Sequence, residues 1–254
     1  MKTQQSRSHL AFTLVELIVA IAIIFVLAGV AVPAAVSAVR TSSLAVSASN
    51  IRQLAAGGAA YLGDNSYRFW PFLQKGSDGD TWWFGLEPAS GKGKAEGERE
   101  IDMTKGPLAN YLPRRMAPDP SMRFSGKPFK PKFKFGYIGS GYNVLLANGW
   151  VTGTSATAKK PLRYWDLKNP GQIVVFATSA QINTFQSPAG PGNPMIEEFY
   201  GIDDREKTVH FRHNGQAMVA YADGSAGFIP MTEGKVDSRA PGACIGTLDK
   251  KYLR

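Results

Sequence analysis

Cysteine is almost missing from this chain: Cys244 is the single one in 254 residues. An intramolecular disulfide, a cysteine-based zinc site and a CxxC redox pair are therefore excluded, and a lone thiol of this kind reads first as a small buried hydrophobe. Histidine is scarce as well, with only His9, His210 and His213. No Ser/His/Asp or Cys/His arrangement and no glycine-rich phosphate loop accompanies them, so the sequence argues against an enzyme. Acid is in short supply, 20 residues against 29 basic ones, giving a formal charge of +9. Such a surplus favours acidic lipid, cell-wall polymer or nucleic acid without choosing among them. What is present is 44% apolar residues, enough for a real core, together with 27 glycines and 16 prolines. The apolar residues crowd near the N-terminus, which describes an anchor followed by a loop-rich head.

Charge is absent altogether from Leu17 to Val39. A helix of those 23 residues would span roughly 34 Å at about 1.5 Å each, enough to cross a hydrocarbon layer of about 30 Å. A secretory signal has a shorter apolar region, of about 7–15 residues. Lys2 and Arg7 precede the span without an acid, which favours a cytoplasmic N-terminus and puts everything after Arg40 outside the cytoplasm. Glu16 is the exception inside the greasy stretch, and a carboxylate in a membrane costs on the order of 2.5–3.5 kcal/mol at mid-depth. Two accounts fit it: a headgroup-facing carboxylate at the interface, or a carboxylate met by a positive partner. A cut between Ala11 and Phe12 would make such a partner by freeing the α-amine of Phe12.

The run from Ala11 through Phe12, Thr13, Leu14, Val15, Glu16 and Leu17 to Ile24 resembles the type IV prepilin cleavage and methylation segment, shared by pilins and the pseudopilins of type II secretion. That resemblance implies processing by a prepilin peptidase between Ala11 and Phe12, N-methylation of Phe12, and pairing of Glu16 with the N-terminus of a neighbouring subunit. The family's usual glycine before the cut is Ala11 here. Pro33 falls where the family's long helix commonly bends, and a proline inside a helix removes a backbone hydrogen bond. Residues 1–11 are then a leader, 12–39 a transmembrane and assembly helix, and 40–63 its continuation.

Past the span, Leu44, Ala48, Ile51, Leu54 and Ala55 repeat at helical spacing, with Arg40, Asn50, Arg52 and Gln53 on other faces. Gly57-Gly58 should weaken this helix and Gly63-Asp64-Asn65 should end it. The head, 64–254, opens with Tyr67, Phe69, Trp70, Phe72, Trp82, Trp83 and Phe84, which suit either core packing or an exposed surface for a polysaccharide. Asp78-Gly79-Asp80 hints at a structural calcium, although the twelfth position of an EF-hand register would be Ala89; no other cofactor is indicated. Gly91 to Glu100 reads as a solvated loop. Between Lys127 and Tyr137, Lys130, Lys132 and Lys134 interleave with aromatics, as in single-strand nucleic acid binders. The same pattern suits a strand turning Phe133, Phe135 and Tyr137 inward. Gln172 to Ala177 reads as a buried strand.

Thr208–Arg212, Gln216–Tyr221 and Ser225–Ile229 read as a three-stranded meander, about 207–230, with a type I′ turn at Asp223-Gly224. His213, nine residues, then Asp223-Gly224 resembles the H-X(9)-D-G domain that ends many large prepilin-like proteins of planctomycete and verrucomicrobial type. Asn50 to Leu54, Tyr61 to Pro71, Phe135-Gly136-Tyr137 and Tyr142-Asn143 resemble that group's blocks, while Ala117-Pro118 stands where it often has Cys-Pro. A middle strand of about eight residues at ~3.3 Å each keeps His213 and Asp223 too far apart to share a proton. The expected fold is α+β and type IV pilin-like, a long N-terminal helix packed on an antiparallel sheet. The expected function is a structural subunit of a pilus or secretion pseudopilus that self-associates and meets other pilin-like subunits. It would start as a single-pass inner-membrane protein with the head outside the cytoplasm, then enter a periplasmic or cell-surface fibre. The alternative is a membrane-tethered minor pilin or binding module for DNA or glycan.

Overall fold

The structure is a computed structural model that describes residues 13–113, 116, 118–124, 128–134, 138–151 and 159–254. Two units divide the chain, up to Ser42 and from Ser43 onward. One helix, α1 (Leu14–Asp64), contributes to both.

Thr13 starts α1 as a capping box. The Glu16 N–H donates to Thr13 Oγ1 at 3.2 Å, and Glu16 Oε2 accepts the Thr13 N–H at 2.9 Å. These bonds satisfy two of the donors that a helix start leaves without partners. In the first unit almost every side chain from Leu14 to Ser42 is exposed, and the helix runs through Pro33. Its mean hydropathy reaches 2.9, long and apolar enough to cross a membrane. The far end is Asp64, within the expected Gly63-Asp64-Asn65 stop, and beyond it Ser66 and Tyr67 turn left-handed, φ 53° and 56°. The Tyr67 N–H donates to the Leu62 carbonyl at 2.8 Å, and the Asn65 side chain caps the Tyr61 carbonyl at 2.8 Å. This is a Schellman ending with serine in the place usually held by glycine.

The second unit starts with the rest of α1, whose inward stripe is Ser43, Ser47, Asn50, Ile51, Leu54, Ala55, Gly57, Gly58 and Leu62. Asn50 is buried, against the expectation that it faces outward. Gly57 and Gly58 do not weaken the helix; they let it come close. A Cβ on Gly57 would lie 2.7 Å from the Tyr111 carbonyl oxygen, and one on Gly58 would lie 2.8 Å from the Trp70 ring.

Among the described residues thirteen short strands follow: β1 (Leu73–Lys75), β2 (Gly79–Trp82), β3 (Gly85–Pro88), β4 (Phe129–Lys130), β5 (Ser140–Asn143), β6 (Val174–Thr178), β7 (Gln181–Asn183), β8 (Met195–Glu197), β9 (Gly201–Ile202), β10 (Val209–His210), β11 (Gln216–Tyr221), β12 (Ala226–Pro230) and β13 (Ile245–Gly246). The central sheet has the order β12-β11-β6-β5-β9, antiparallel except for the parallel β5–β9 pair. Within β11, Met218 and Ala220 join the core on the α1 side while Ala217 and Val219 join a second core with Ile202, Val209 and Phe211. Burial on both faces explains a strand that is apolar at nearly every position. The fold is thus α+β, a long helix on mixed, mainly antiparallel sheets.

The meander is only half present. β11 and β12 form its hairpin, but β10 pairs with β13, and the other neighbour of β11 is β6. The aromatics of 69–84 are core. Trp70 stacks on Tyr142 and Phe176, with centroids 4.8 and 5.6 Å away, and Trp83 donates its indole N–H to the Tyr200 carbonyl at 2.9 Å.

Candidate functional site

Ala11 and Phe12, the expected cleavage and methylation positions, lie outside the described residues, as do Ala117, Phe135, Gly136 and Tyr137. The first site residue the structure places is Glu16. One of its carboxylate oxygens takes both the N–H and the hydroxyl of Thr13, at 2.9 and 2.8 Å. Its negative charge therefore sits at the positive end of its own helix dipole, a local role beside the two that the sequence suggested. Around it Leu14, Val15, Leu17 and Ile18 are all more than half exposed, and so are Phe25, Val26 and Leu27. The arrangement is an apolar cylinder with one self-capped carboxylate near its start. Its exposed apolar surface suits an apolar environment.

A family model described as "Prokaryotic N-terminal methylation motif" matches residues 6–32. The chain carries a prepilin-type N-terminal segment. The match stops at Val32, one residue before Pro33, and does not reach the C-terminal turns. No curated protein and no solved structure matches the chain.

Away from the prepilin-type segment, His213 and Asp223-Gly224 sit in the turns at opposite ends of β11. His213 and Gln216 exchange backbone hydrogen bonds at 3.1 and 3.0 Å across Asn214 (φ 53°) and Gly215 (φ 75°). That is the type I′ turn. The Asp223-Gly224 turn is different: among the described non-glycine residues with positive φ, Asp223 is absent, Gly224 has φ 87°, and its N–H donates to the Tyr221 carbonyl. It is a type I turn closed by a left-handed glycine, with Asp223 Oδ1 accepting the Ser225 N–H and hydroxyl at 2.9 and 2.6 Å. The two motif residues do not meet, and each serves its own turn. Burial and the neighbouring Arg212 push the His213 imidazole down to about 4, so it is neutral at ordinary pH.

The three lysines do not make one exposed patch. Lys130 is buried, its Nζ 2.8 Å from Glu96 Oε2, and Lys132 is nearly so, its ammonium 3.9 Å from Glu197 and 5.6 Å from the Phe199 ring centroid. Lys134 is half exposed near Glu100. Among the described residues of this stretch Phe129 and Lys130 join a sheet, parallel to β8, and Phe133 is buried as expected, bridging to Arg99, while Phe135 and Tyr137 lie outside the described residues. The loop from Gly91 to Glu100 is solvated at Lys92–Ala95, Glu98 and Glu100, as expected, but two of its charged side chains turn back to the body. Arg99 forms a bidentate pair with buried Glu87 at 2.7 and 2.6 Å, and Glu96 turns in towards Lys130.

The sequence reading missed this ionic cluster and one other. Glu197 and Glu198 are adjacent and fully buried. Burial, then the contact with Glu96, raises Glu197 to about 7. Burial raises Glu198 to about 8 despite the hydrogen bonds it receives from the Lys132 N–H and the Tyr200 side chain. Burial opposes charge on Glu96 too, but its hydrogen bond with Glu197 and the Lys130 ammonium outweigh it and hold Glu96 below the usual range. In the second cluster Arg212 Nη2 sits 2.5 Å from Asp119 Oδ2 with both side chains nearly fully buried. Ser47 of α1 donates to the same oxygen at 2.8 Å, and Arg212 also reaches Ser121 and the Gly139 carbonyl. Two acids inside the apolar run Met195 to Tyr200 were the one sequence signal of the first cluster.

Asp78-Gly79-Asp80 enters β2, where Asp80 pairs with Lys92 at 2.7 Å. Among the described residues no group of three His, Cys, Asp or Glu side chains is placed to hold a metal ion. Cys244 is half-buried at φ 53° rather than fully inside.

Proposed function

We propose that this chain is the precursor of a pilin-like or pseudopilin-like structural subunit. A prepilin peptidase cuts it between Ala11 and Phe12, the new Phe12 amine is methylated, and the subunit enters a fibre through α1. The observation that carries this reading is the prepilin-type segment leading into a helix whose apolar side chains from Leu14 to Val36 are largely exposed. Such a helix is held by lipid before assembly and by neighbouring helices afterwards, so transfer between the two exchanges one apolar setting for another at small cost. Glu16 is the selective element. Its carboxylate is satisfied by Thr13 in the single chain, and an incoming amine from a neighbour would add a charged partner in a low-dielectric setting, where it is strongest. Pro33 leaves the Gly29 carbonyl without its helical donor, a point at which the rod can bend in a fibre.

Mass spectrometry of the mature protein tests processing: an N-methylated phenylalanine from position 12 is expected, and an intact leader would overturn it. Glu16→Ala tests assembly. The variant should be cut normally yet be lost from the sheared-fibre fraction, and fibres at normal yield would refute the role given to Glu16.

A further inference from the structure

The exposed basic and aromatic surface of the head lies elsewhere than in Lys130, Lys132 and Lys134. Tyr67, Tyr164 and Trp165 touch one another, with ring centroids 4.8 Å apart for Tyr67–Trp165 and 5.3 Å for Tyr164–Trp165. Trp165 is nonetheless 67% exposed and Tyr67 44%. Backbone geometry holds this open, because Ser66 and Tyr67 are consecutive left-handed residues without being glycine. Strain of that kind persists only where the surroundings enforce it, and it collects at functional places. An isolated antiparallel bridge sets Arg68 directly opposite Arg163. Like charges in that position repel. From Lys159 to Lys168 the chain carries four cations and one acid. Among the described residues neither arginine, nor Lys159, Lys160 or Lys168, forms an ion pair.

We propose that Tyr67, Tyr164 and Trp165, with Arg68, Arg163 and Lys168, form a binding surface for single-stranded nucleic acid. A strand of that kind presents flat bases and phosphates in alternation, and proteins grip it by stacking the first on aromatic rings and neutralising the second with Lys and Arg. Guanidinium groups serve both purposes, since their planes also stack. A neutral glycan fits this surface less well. A neutral chain would leave the surplus of positive charge without an anion to match it, whereas phosphates supply one at each nucleotide. The Arg68 guanidinium is fixed in place by the Pro161 carbonyl at 2.6 Å and has further donors to offer.

The test uses the full chain in detergent micelles and the anisotropy of a short fluorescein-labelled oligothymidylate. Binding is expected, about tenfold weaker in Trp165→Ala and largely restored in Trp165→Phe. In Arg163→Ala the dependence of log affinity on log salt should flatten by about 0.7, the value of one lost phosphate contact on a single strand. Lys94→Ala, an exposed cation on another loop, should change neither. The proposal fails if the oligonucleotide does not bind, if Trp165→Ala binds as well as the parent, or if dextran sulfate displaces the label as readily as unlabelled oligothymidylate at equal charge. The last result would reveal attraction to any polyanion. Near-UV circular dichroism from the buried Trp70 and Trp83 checks that each variant is folded.

Discussion

The two halves of α1 are one unbroken helix with opposite ways of using a surface. From Leu14 to Ser42 the residues are nearly all exposed, with large apolar side chains concentrated between Leu14 and Leu27. From Ser43 to Asp64 the inward stripe is made of two serines, an asparagine, one alanine and two glycines around Ile51, Leu54 and Leu62. A wide apolar half needs an environment with no preferred geometry, as lipid is. The narrow half needs a partner shaped to it, and obtains one because small side chains let α1 approach Trp70 and the Tyr111 carbonyl closely. Small residues in the second half thus permit close packing, while the exposed bulk of Leu14 to Leu27 suits an apolar environment such as lipid.

The strongest way to break the contrast is at Asp119, where the second half of α1 is tied in by charge. Asp119→Ala leaves Arg212 buried without its partner, a loss of about 3–5 kcal/mol, measured by chemical denaturation in micelles with Trp70 and Trp83 fluorescence. Glycine substitutions should then sharpen it by having opposite signs in the two halves. Gly58→Val must displace the Trp70 ring and should cost about 1–3 kcal/mol. Gly29→Ala meets nothing within 4 Å and should favour the helix by up to about 1 kcal/mol, read as a higher melting temperature.

Smaller still is the pH response of the buried glutamates. Glu197 and Glu198 are raised to about 7 and about 8, so the folded state holds protons that the unfolded chain gives up near the usual carboxylate range of about 4.3. Their stabilising contribution is complete below that range and is lost as pH rises through 7 and 8. Glu198→Gln should therefore lie close to the parent in mildly acid buffer and melt above it at about pH 9. His213 acts in the opposite sense. With its pKa lowered to about 4, it supports the fold above about 6.5 and withdraws that support as pH falls towards 4; His213→Phe should reduce the loss of stability on acidification.

The sequence made some of this legible and hid the rest for identifiable reasons. A charge-free run is a local signal, and the N-terminal half of α1 was readable from it, while the equally local Thr13-x-x-Glu16 capping box went unread. The β11–β12 hairpin and buried β6 were also local. The partner of β10 was not, because β13 lies some thirty-five residues further on and two-residue strands carry no pattern. Gly57 and Gly58 look like helix weakeners until Tyr111 and Trp70 are in place. Lys130 and Lys132 looked like a surface because Glu96, Glu197 and Glu198, which surround them, are remote in sequence. Asp119 and Arg212 are 93 positions apart. Trp165 escaped notice beside the larger aromatic block of 69–84, though an aromatic pair flanked by Arg163 and Lys168 was there to be seen.

The proton held by Glu198 alters what the molecule presents to its surroundings. At neutral pH that acid is uncharged, so the formal +9 understates the true positive charge by about one unit. Titrating towards mild alkali restores the missing negative charge inside the head, leaving its outer lysines and arginines untouched. Long-range attraction to any polyanion should weaken slightly over that interval, before the lysine ammonium groups give up their protons.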